Sequence, residues 1–318
     1  MNKFKIIEEL KRDISNFLEN YPKGIIMLWG PTASGKTSIS LEIAKFLGNV
    51  QIVSADSRQV YKYMDIGTDK VDISIREKIP HHQIDLVEPD KIYTAGEWKN
   101  STKPIIQNIQ KKGDIPFLVG GTGLYIDTIY KNFSMPQVGP DMELRRCYEQ
   151  KERKNPGILH QNLKDIDPES ASQIHPNSTR YIIRALEIYE KTGKTKSQLA
   201  KPQPVDRPIF MGGLIPGKNV SNDMINNRVL EMLEKGLVKE VEKLIDMGYD
   251  KTLPSMQGIG YKEVLDYIDG KYDFESMVET LKKNTQKFAK RQRTWFRRYL
   301  NDKKYSPKSN VVYKIFSG

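Results

Sequence analysis

Short apolar runs alternate along the chain with longer segments whose apolar residues recur at helical spacing. The runs at 25–29, 51–54, 115–119 and 209–214 predict buried strands, and residues 311–316 predict a final edge strand. They are short and rich in β-branched residues, as is typical of strands covered on both faces of a parallel sheet. The segments between them predict helices at 3–19, 38–46, 95–111, 221–235, 237–247 and 274–299. This alternation predicts an α/β fold with a parallel sheet.

The middle of the chain interrupts the alternation. Residues 140–200 lack strand patterns and predict four helices, at 143–151, 156–165, 168–174 and 178–192. A turn-rich stretch, 133–139, precedes them. At 318 residues the chain is long enough for two domains. We expect a helical extension at 1–22, the first part of an α/β core at 23–138, an all-helical insertion at 139–205, and the second part of the core at 206–318.

The first predicted strand leads into a glycine-rich loop. The pattern G-x-x-x-x-G-K-[ST] is fitted by Gly30, Pro31, Thr32, Ala33, Ser34, Gly35, Lys36 and Thr37. A strand, this loop and a helix, in that order, are the context that confirms a P-loop. Its backbone N–H groups turn toward an anion, and the helix N-terminus adds its positive dipole end. Lys36 would contact terminal phosphate oxygens, and Thr37 would offer its hydroxyl to Mg²⁺. The motif predicts a bound di- or triphosphate without specifying which one.

Two further strand ends carry candidate chemistry, because ligands of open α/β sheets bind outside the carboxyl ends of the strands. Asp56 follows the predicted strand at 51–54 and is compatible with a helix cap, a Mg²⁺ partner or a general base. The strand at 115–119 ends in Gly120-Gly121-Thr122, where a P-loop ATPase carries a metal-binding Asp. The absence of that Asp argues against ATP hydrolysis. Thr122 is compatible with a hydrogen bond to a ligand, and the segment is equally compatible with a plain strand-to-helix turn.

The charge of the chain points to an anionic partner. The net charge is +11, which indicates a partner such as nucleic acid. The predicted insertion carries Arg145, Arg146, Arg180 and Arg184, and the helix at 274–299 interleaves cations with aromatic residues. Basic residues with aromatics suit an RNA backbone with stacked bases. The alternative for the last helix is that its aromatics pack on the core while its cations stay in water, and both can hold at once.

Other features narrow the class of protein. The single cysteine, Cys147, allows no internal disulfide and has no neighbouring histidine in the sequence, which suits a bystander in a cytoplasmic protein. No run reaches the roughly 18 apolar residues of a membrane span. The N-terminus lacks the apolar core of a signal peptide. His81 and His82 are adjacent, which favours hydrogen-bonded structural histidines over metal ligands.

Eight blocks in chain order resemble the tRNA dimethylallyltransferases, the isopentenyl transferases of the bacterial type. They are Gly-Pro-Thr-Ala-Ser-Gly-Lys-Thr (30–37), Ser-Ala-Asp-Ser-Arg-Gln-Val-Tyr (54–61), Met-Asp-Ile-Gly-Thr (64–68), Leu-Val-Gly-Gly-Thr-Gly-Leu-Tyr (118–125), Ile-His-Pro-Asn (174–177), Arg-Ala-Leu-Glu (184–187), Gln-Gly-Ile-Gly-Tyr-Lys-Glu (257–263) and Ala-Lys-Arg-Gln-Arg-Thr-Trp-Phe (289–296). Together they are far more selective than the P-loop alone. Residues 1–22 and the tail after 300 lie outside them.

The resemblance implies a P-loop NTPase-like core of parallel strands flanked by helices, with an inserted all-helical domain that grips the anticodon stem-loop of tRNA. It implies transfer of a dimethylallyl group from dimethylallyl diphosphate to N6 of adenosine 37, with Mg²⁺ as cofactor. The donor's phosphates would lie on residues 30–37, with Thr37 toward the metal. Asp56 matches the family's general base, and Lys36 and Thr122 would stabilise the departing diphosphate. We expect a cytoplasmic monomer.

The same resemblance proposes the residues that contact tRNA. They are Asp56, Ser57, Arg58, Gln59, Thr122, Arg145, Thr179, Arg180, Tyr181, Ile182, Ile183, Gln257, Gly258, Ile259, Gly260, Tyr261 and Lys262.

Two other function classes stay open on the residues alone. A small-molecule kinase or an adenylate isopentenyltransferase could use the same phosphate cradle, but it would not need the basic insertion or the last basic helix. A non-catalytic RNA-binding protein would not need Asp56, Lys36 and Thr122 together.

Overall fold

A six-stranded, all-parallel sheet organises the protein in the computed structural model, which describes residues 2–136, 138–201, 203, 207–305 and 311–317. The strands are β1 (Ile25–Trp29), β2 (Val50–Ser54), β3 (His81–His82), β4 (Ile115–Gly120), β5 (Ile209–Ile215) and β6 (Val311–Ser317). Their order is β3-β2-β4-β1-β5-β6, and every neighbouring pair is parallel. The predicted α/β class and the five predicted strands are therefore confirmed, with no strand end shifted by more than one residue.

The helices flank this sheet or form a separate group. In chain order they are α1 (Lys3–Asn20), α2 (Lys36–Leu47), α3 (Ile73–Arg76), α4 (Ala95–Lys111), α5 (Gly123–Tyr130), α6 (Met142–Lys154), α7 (Ile158–Ile166), α8 (Pro168–Gln173), α9 (Thr179–Thr192), α10 (Lys196–Leu199), α11 (Lys218–Glu234), α12 (Leu237–Asp246), α13 (Tyr261–Ile268) and α14 (Phe274–Tyr305). The sequence patterns missed α3 and β3, which lie in a region that reads as loop. They also missed α10 and α13 and gave no bounds for α5.

The chain divides into two compact units. Residues 1–93, 97–126 and 206–318 form the first, and residues 94–96 and 127–205 form the second. In the first, α1 buries Ile6, Leu10, Ile14 and Phe17 among the strands. In the second, α6 to α9 enclose a core of their own around Leu159, Leu163 and Leu186. The domain boundaries drawn from the sequence stay a prediction.

The order of the strands explains where a ligand can bind in the first unit. The connection after β1 leads to β2 on one side, whereas the chain after β4 reaches β5 on the other side of β1. β1 and β4 are neighbours, so a crevice opens between their carboxyl ends, which is the usual ligand position in open α/β sheets. The P-loop follows β1 there, and Gly120-Gly121-Thr122 follows β4.

Within the described residues, every helix is too short or too polar to span a bilayer.

Candidate active site

A cavity of about 380 Å³ lies at this carboxyl edge of the sheet. Its walls come from the P-loop, the segment after β2, the turn after β4, and helices α11 and α14. Apolar side chains, among them Val229, Met232, Leu281 and Phe288, form one part of the wall, and polar side chains form another. The cavity therefore offers both a charged and an apolar surface to one ligand.

The P-loop is held in a conformation that its small residues allow. A Cβ on Gly30 would lie 2.5 Å from the Leu214 carbonyl oxygen, so the close approach of β5 requires glycine there. Gly35 precedes α2 with a φ of 81°, and Ala33 also has a positive φ, of 54°. A left-handed residue at the start of a helix turns backbone N–H groups toward one point. This is the geometry of an anion cradle.

Lys36 is half-buried beside the cradle. Its Nζ donates to the Pro31 carbonyl oxygen at 2.6 Å, and the Ser34 hydroxyl lies 3.4 Å away. The pKa of Lys36 is lowered to about 8, mainly by burial and also by the positive charge of Arg228, while Asp56 and Asp69 act in the opposite direction. A cation with a lowered pKa at this position would gain stabilisation from a phosphate anion.

Thr37 lies in the cavity wall next to Lys36, with Asp56 in the same wall. The described residues contain no group of three or more His, Cys, Asp or Glu side chains that could hold a metal ion. Mg²⁺ commonly takes one or two protein oxygens and completes its shell with water and substrate phosphates. The hydroxyl of Thr37 and the carboxylate of Asp56 fit a metal ion held in that way, and the Mg²⁺ prediction stays a prediction.

Asp56 directly follows Ala55 at the end of β2 and is partly exposed to the cavity. Its Oδ1 accepts a hydrogen bond from the Arg58 backbone N–H at 2.8 Å. The segment continues as a turn and does not start a helix. The helix-cap interpretation is therefore wrong, because the Asp56 carboxylate caps a turn and not a helix. The roles of Mg²⁺ partner and general base stay open.

Thr122 connects the turn after β4 to the segment that carries Asp56. Its backbone N–H donates to the Ala55 carbonyl oxygen at 3.0 Å. Its Oγ1 accepts from the Ser57 N–H at 2.9 Å and donates to the Ser57 hydroxyl at 3.2 Å. A Cβ on Gly120 would lie 2.1 Å from the Ala55 oxygen, so the two segments touch. This turn therefore holds the segment that carries Asp56 through hydrogen bonds of Thr122. The hydrogen bond of Thr122 to a ligand stays a prediction.

Two polar side chains that the sequence patterns missed also reach the cavity. Gln292 of α14 donates from Nε2 to the Gly121 carbonyl oxygen and accepts the Thr32 N–H at Oε1, each at 2.8 Å. Arg228 of α11 pairs with Asp69 at 3.2 Å. Gln292 had a sequence signal, since it lies four residues from both Phe288 and Phe296 and so shares the apolar side of an amphipathic helix. Arg228 had none that we can identify.

The three predicted tRNA contacts that follow Asp56, residues 57–59, differ in how their side chains are engaged within the protein. Ser57 lines the cavity, and Arg58 is exposed with one nitrogen donating to the Pro254 carbonyl oxygen at 3.0 Å. Gln59 uses its amide on the Ser54 hydroxyl and on the carbonyl oxygens of residues 68 and 69. Gln59 therefore holds the loop together in this structure.

The predicted run from Gln257 to Lys262 is split in the same way. Gln257 and Lys262 are exposed, Ile259 is half-buried, and Gly258 and Gly260 are buried backbone. Tyr261 is buried, and its hydroxyl donates to Glu240 at 2.7 Å. Glu240 also accepts three backbone N–H groups of residues 65–67. A tRNA contact through the Tyr261 side chain is therefore wrong, because that side chain is a buried support for the neighbouring loop.

In the second unit, the structure separates exposed from buried members of the predicted tRNA surface. Arg180 and Tyr181 are exposed, with Tyr181 at 65 %, and Thr179 is half-buried beside them. Ile182 and Ile183 are 0 % and 4 % exposed and belong to the core of this unit. Contact with tRNA through the side chains of Ile182 and Ile183 is therefore wrong, because both side chains are buried in this core.

Arg145 is engaged within the same unit. Its guanidinium donates to Glu187 through Nε at 2.8 Å and through a terminal nitrogen at 2.7 Å, and Arg184 donates to the same buried carboxylate. The pKa of Glu187 falls to about 2; burial opposes this shift and the two arginines outweigh it. A role for Arg145 toward tRNA stays a prediction, but the structure shows it first as the partner of a buried anion.

Helix α14 supports the second of the two interpretations offered for its residues. Phe296 is fully buried and stacks on Trp29 at a centroid distance of 5.0 Å. Arg293 is also buried and donates to the Ser221 hydroxyl at 2.8 Å. Lys287, Lys290, Arg291 and Arg297 are exposed. The helix therefore packs Phe296 on the core and keeps most of its cations in water, where they stay available to an anionic partner.

The two adjacent histidines are hydrogen-bonded, as predicted. His82 Nε2 lies 2.7 Å from Gln51 Oε1, and His81 Nδ1 lies 2.6 Å from the Ile79 carbonyl oxygen.

Comparisons with known proteins identify a single family. The IPP transferase family model matches residues 59–299. A tRNA dimethylallyltransferase of Thermotoga neapolitana is 47 % identical over 272 residues, which cover 86 % of this chain and 88 % of the relative. One from Natranaerobius thermophilus is 44 % identical over 293 residues, which cover 91 % and 87 %.

Solved structures agree. The full-length tRNA isopentenylpyrophosphate transferase of Bacillus halodurans is similar with a TM-score of 0.63 and 38 % identity, over 92 % of this chain and 90 % of the other. A eukaryotic dimethylallyltransferase acting on tRNA is similar with a TM-score of 0.75 and 27 % identity, over 92 % of this chain and 74 % of the other.

Proposed function

This chain belongs to the IPP transferase family of tRNA dimethylallyltransferases, and we propose that it transfers the dimethylallyl group of dimethylallyl diphosphate to N6 of adenosine 37 in the anticodon stem-loop. Diphosphate is the second product. Membership of the family is shown. The proposal adds the acceptor atom, the donor and the part of tRNA that is bound.

One observation carries the proposal. Lys36 and Asp56 line the same cavity, and the charge of Asp56 acts on the pKa of Lys36. A cation suited to the donor's phosphates and a carboxylate suited to the acceptor's proton therefore face one volume. A transfer between two substrates needs this arrangement, because both reacting groups must meet in that volume.

Asp56 would act on the acceptor. The N6 amine of adenosine is a weak nucleophile, because its lone pair is delocalised into the ring. As N6 forms a bond to carbon 1 of the dimethylallyl group, one of its protons passes to the Asp56 carboxylate. The Arg58 N–H holds Oδ1 of that carboxylate in place. The adenine has to leave the stack of the loop to reach the cavity, which costs about a few kcal/mol and less in a single-stranded loop.

The P-loop would act on the donor. When the bond from carbon 1 to its oxygen breaks, the electron pair stays on diphosphate and negative charge grows there. The N–H groups of the cradle and the ammonium of Lys36 stabilise that charge. Thr37 would hold Mg²⁺ against the diphosphate, and the ion would supply further positive charge to the leaving group. The apolar wall around Val229, Met232 and Leu281 suits the five-carbon chain.

Charge and exposure support the tRNA part of the proposal. The net charge of +11 favours a polyanion. In the second unit, the consecutive residues Arg180 and Tyr181 expose a cation and an aromatic ring, which suit a phosphate and an unstacked base. We also propose a monomer as the active form.

The experiment is transfer of label from dimethylallyl diphosphate to an unmodified anticodon stem-loop. A stem-loop with guanosine at position 37 is the matched control for the acceptor, and adenosine monophosphate tests the small-molecule alternative. We expect labelling of the adenosine-37 stem-loop alone. Equal labelling of the guanosine variant, or labelling of adenosine monophosphate without the stem-loop, would contradict the proposal.

A further inference from the structure

Gln292 joins the two glycine-rich turns that border the cavity. Its Nε2 donates to the Gly121 carbonyl oxygen and its Oε1 accepts from the Thr32 N–H, both at 2.8 Å. The side chain is 8 % exposed. Its helix is fixed on the core by the buried residues Ala289 and Phe296. A rigid element thus holds both turns through one amide group.

Each of the two turns that Gln292 joins leads to a group proposed to act in the reaction. Thr32 belongs to the P-loop that ends in Lys36, the donor's side of the cavity. Gly121 precedes Thr122, whose Oγ1 accepts from the Ser57 N–H at 2.9 Å, and Ser57 follows Asp56 on the acceptor's side. Hydrogen bonds and the peptide bond between Gly121 and Thr122 therefore connect the P-loop through Gln292 to the backbone beside Asp56.

We propose that Gln292 is a positioning residue, which sets the separation between the donor's diphosphate and the Asp56 carboxylate. The catalytic part of this inference rests on the proposed function. An amide is suited to the task because it presents one donor and one acceptor in a fixed plane. The reverse orientation of the amide would oppose two donors at Thr32 and two acceptors at Gly121. The fit is also tight, since a Cβ on Gly121 would lie 2.7 Å from Nε2.

The Gln292→Glu variant should make activity depend on pH, because only the protonated carboxyl offers both a donor and an acceptor. A protonated carboxyl can accept from Thr32 and donate to Gly121, as the amide does, whereas a carboxylate can only accept. Burial raises the pKa of such a carboxyl. Displacement of reacting groups by about 1 Å can cost about 100-fold in rate. We expect kcat relative to wild type to be about 10- to 100-fold lower at pH 8 and to recover by about tenfold at pH 6.

Gln286→Glu is the matched control on the same helix. Gln286 donates to Asn226 Oδ1 at 3.1 Å and is not part of the cavity wall. Its kcat relative to wild type should be flat with pH, and KM for the donor should stay within about threefold in both variants. A flat profile for Gln292→Glu that matches the control would overturn the proposal.

A second measurement does not depend on activity. Hydrogen exchange of the Thr32 amide reports its bond to Gln292 directly. Gln292→Leu should raise that exchange rate by about tenfold, and Gln286→Leu should leave it unchanged. An unchanged exchange rate of the Thr32 amide in Gln292→Leu would overturn the inferred hydrogen bond between Gln292 and Thr32. If wild-type protein failed to label tRNA while Thr32 behaved as expected, the proposed function would fail and the structural bridge would stand.

Discussion

Thr122 accepts a hydrogen bond from the backbone N–H of Ser57 at 2.9 Å, although the two residues lie 65 positions apart in the chain. The bond fixes the backbone immediately after Asp56. Thr122→Val removes both hydrogen bonds of the hydroxyl at nearly constant volume and leaves the Ser57 N–H unpaired. We expect transfer to fall by about 10- to 100-fold, because the carboxylate is displaced, and stability to fall by about 1–3 kcal/mol.

Thr122→Ser is the control for that change, since it keeps the hydroxyl. Single-turnover transfer and thermal unfolding of both variants are the measurements. Equal loss of activity in Thr122→Ser and Thr122→Val would show that the hydrogen bond to Ser57 is not what matters at this position.

Lys36→Ala should abolish transfer and weaken binding of dimethylallyl diphosphate, because it removes the cation of the phosphate cradle. Binding of the stem-loop should survive. Lys45→Ala is the control on the same helix, where Lys45 is an exposed partner of Glu42. Donor binding by calorimetry and stem-loop binding by fluorescence separate the two effects, and normal turnover of Lys36→Ala would refute the donor site.

The lowered pKa of Lys36 predicts a pH dependence of anion binding. Burial brings this pKa to about 8 in the free protein, and the ammonium is the form that binds diphosphate. Above pH 8, binding must first take up a proton, so affinity should fall by up to about tenfold per pH unit. Below about pH 7 the lysine is already charged and its contribution should be constant.

Lys36→Arg is the reference for this titration, because an arginine keeps its charge throughout. The ratio of diphosphate affinities between wild type and Lys36→Arg removes the titration of the ligand itself. A ratio that stays constant from pH 7 to pH 9.5 would contradict the assignment of the Lys36 ammonium to the diphosphate.

Arg180 and Arg145 should behave differently when each is replaced by alanine. Arg180 is exposed, so its loss should weaken stem-loop binding and reduce the slope of log K against log salt by about 0.7–0.9. Arg145 pairs with the buried carboxylate of Glu187, so its loss should lower stability by about 1–3 kcal/mol. Salt titrations and thermal unfolding of the two variants test this, and interchanged effects would contradict the structure of the second unit.

The sequence predicted those parts of the site that are local in the chain. Strand β1, the P-loop and α2 follow one another within residues 25–47, so spacing and glycine positions were sufficient. The same holds for Asp56 after β2 and Gly120-Gly121-Thr122 after β4. Parallel strands bring their carboxyl ends to one edge, which placed these three segments together before the structure was known.

Hydrogen bonds between residues far apart in the chain could not be predicted in this way. Gln292 reaches Thr32 across 260 positions, and Glu240 reaches Ile66 across 174. No local pattern encodes such a partner. Ile182 and Ile183 show a limit of the resemblance. It proposed both residues as tRNA contacts, and the structure buries both side chains in the core of the second unit.

Single-turnover transfer by Asp56→Asn tests the central claim most directly. Asparagine keeps an oxygen that can accept the Arg58 N–H, so the turn and the melting temperature should be nearly unchanged. Its amide cannot take a proton near neutral pH, and loss of a general base typically costs about 10² to 10⁴ in rate. We predict a loss in that range with donor affinity nearly unchanged. A rate within a few-fold of wild type would contradict the claim and leave Asp56 with the turn alone.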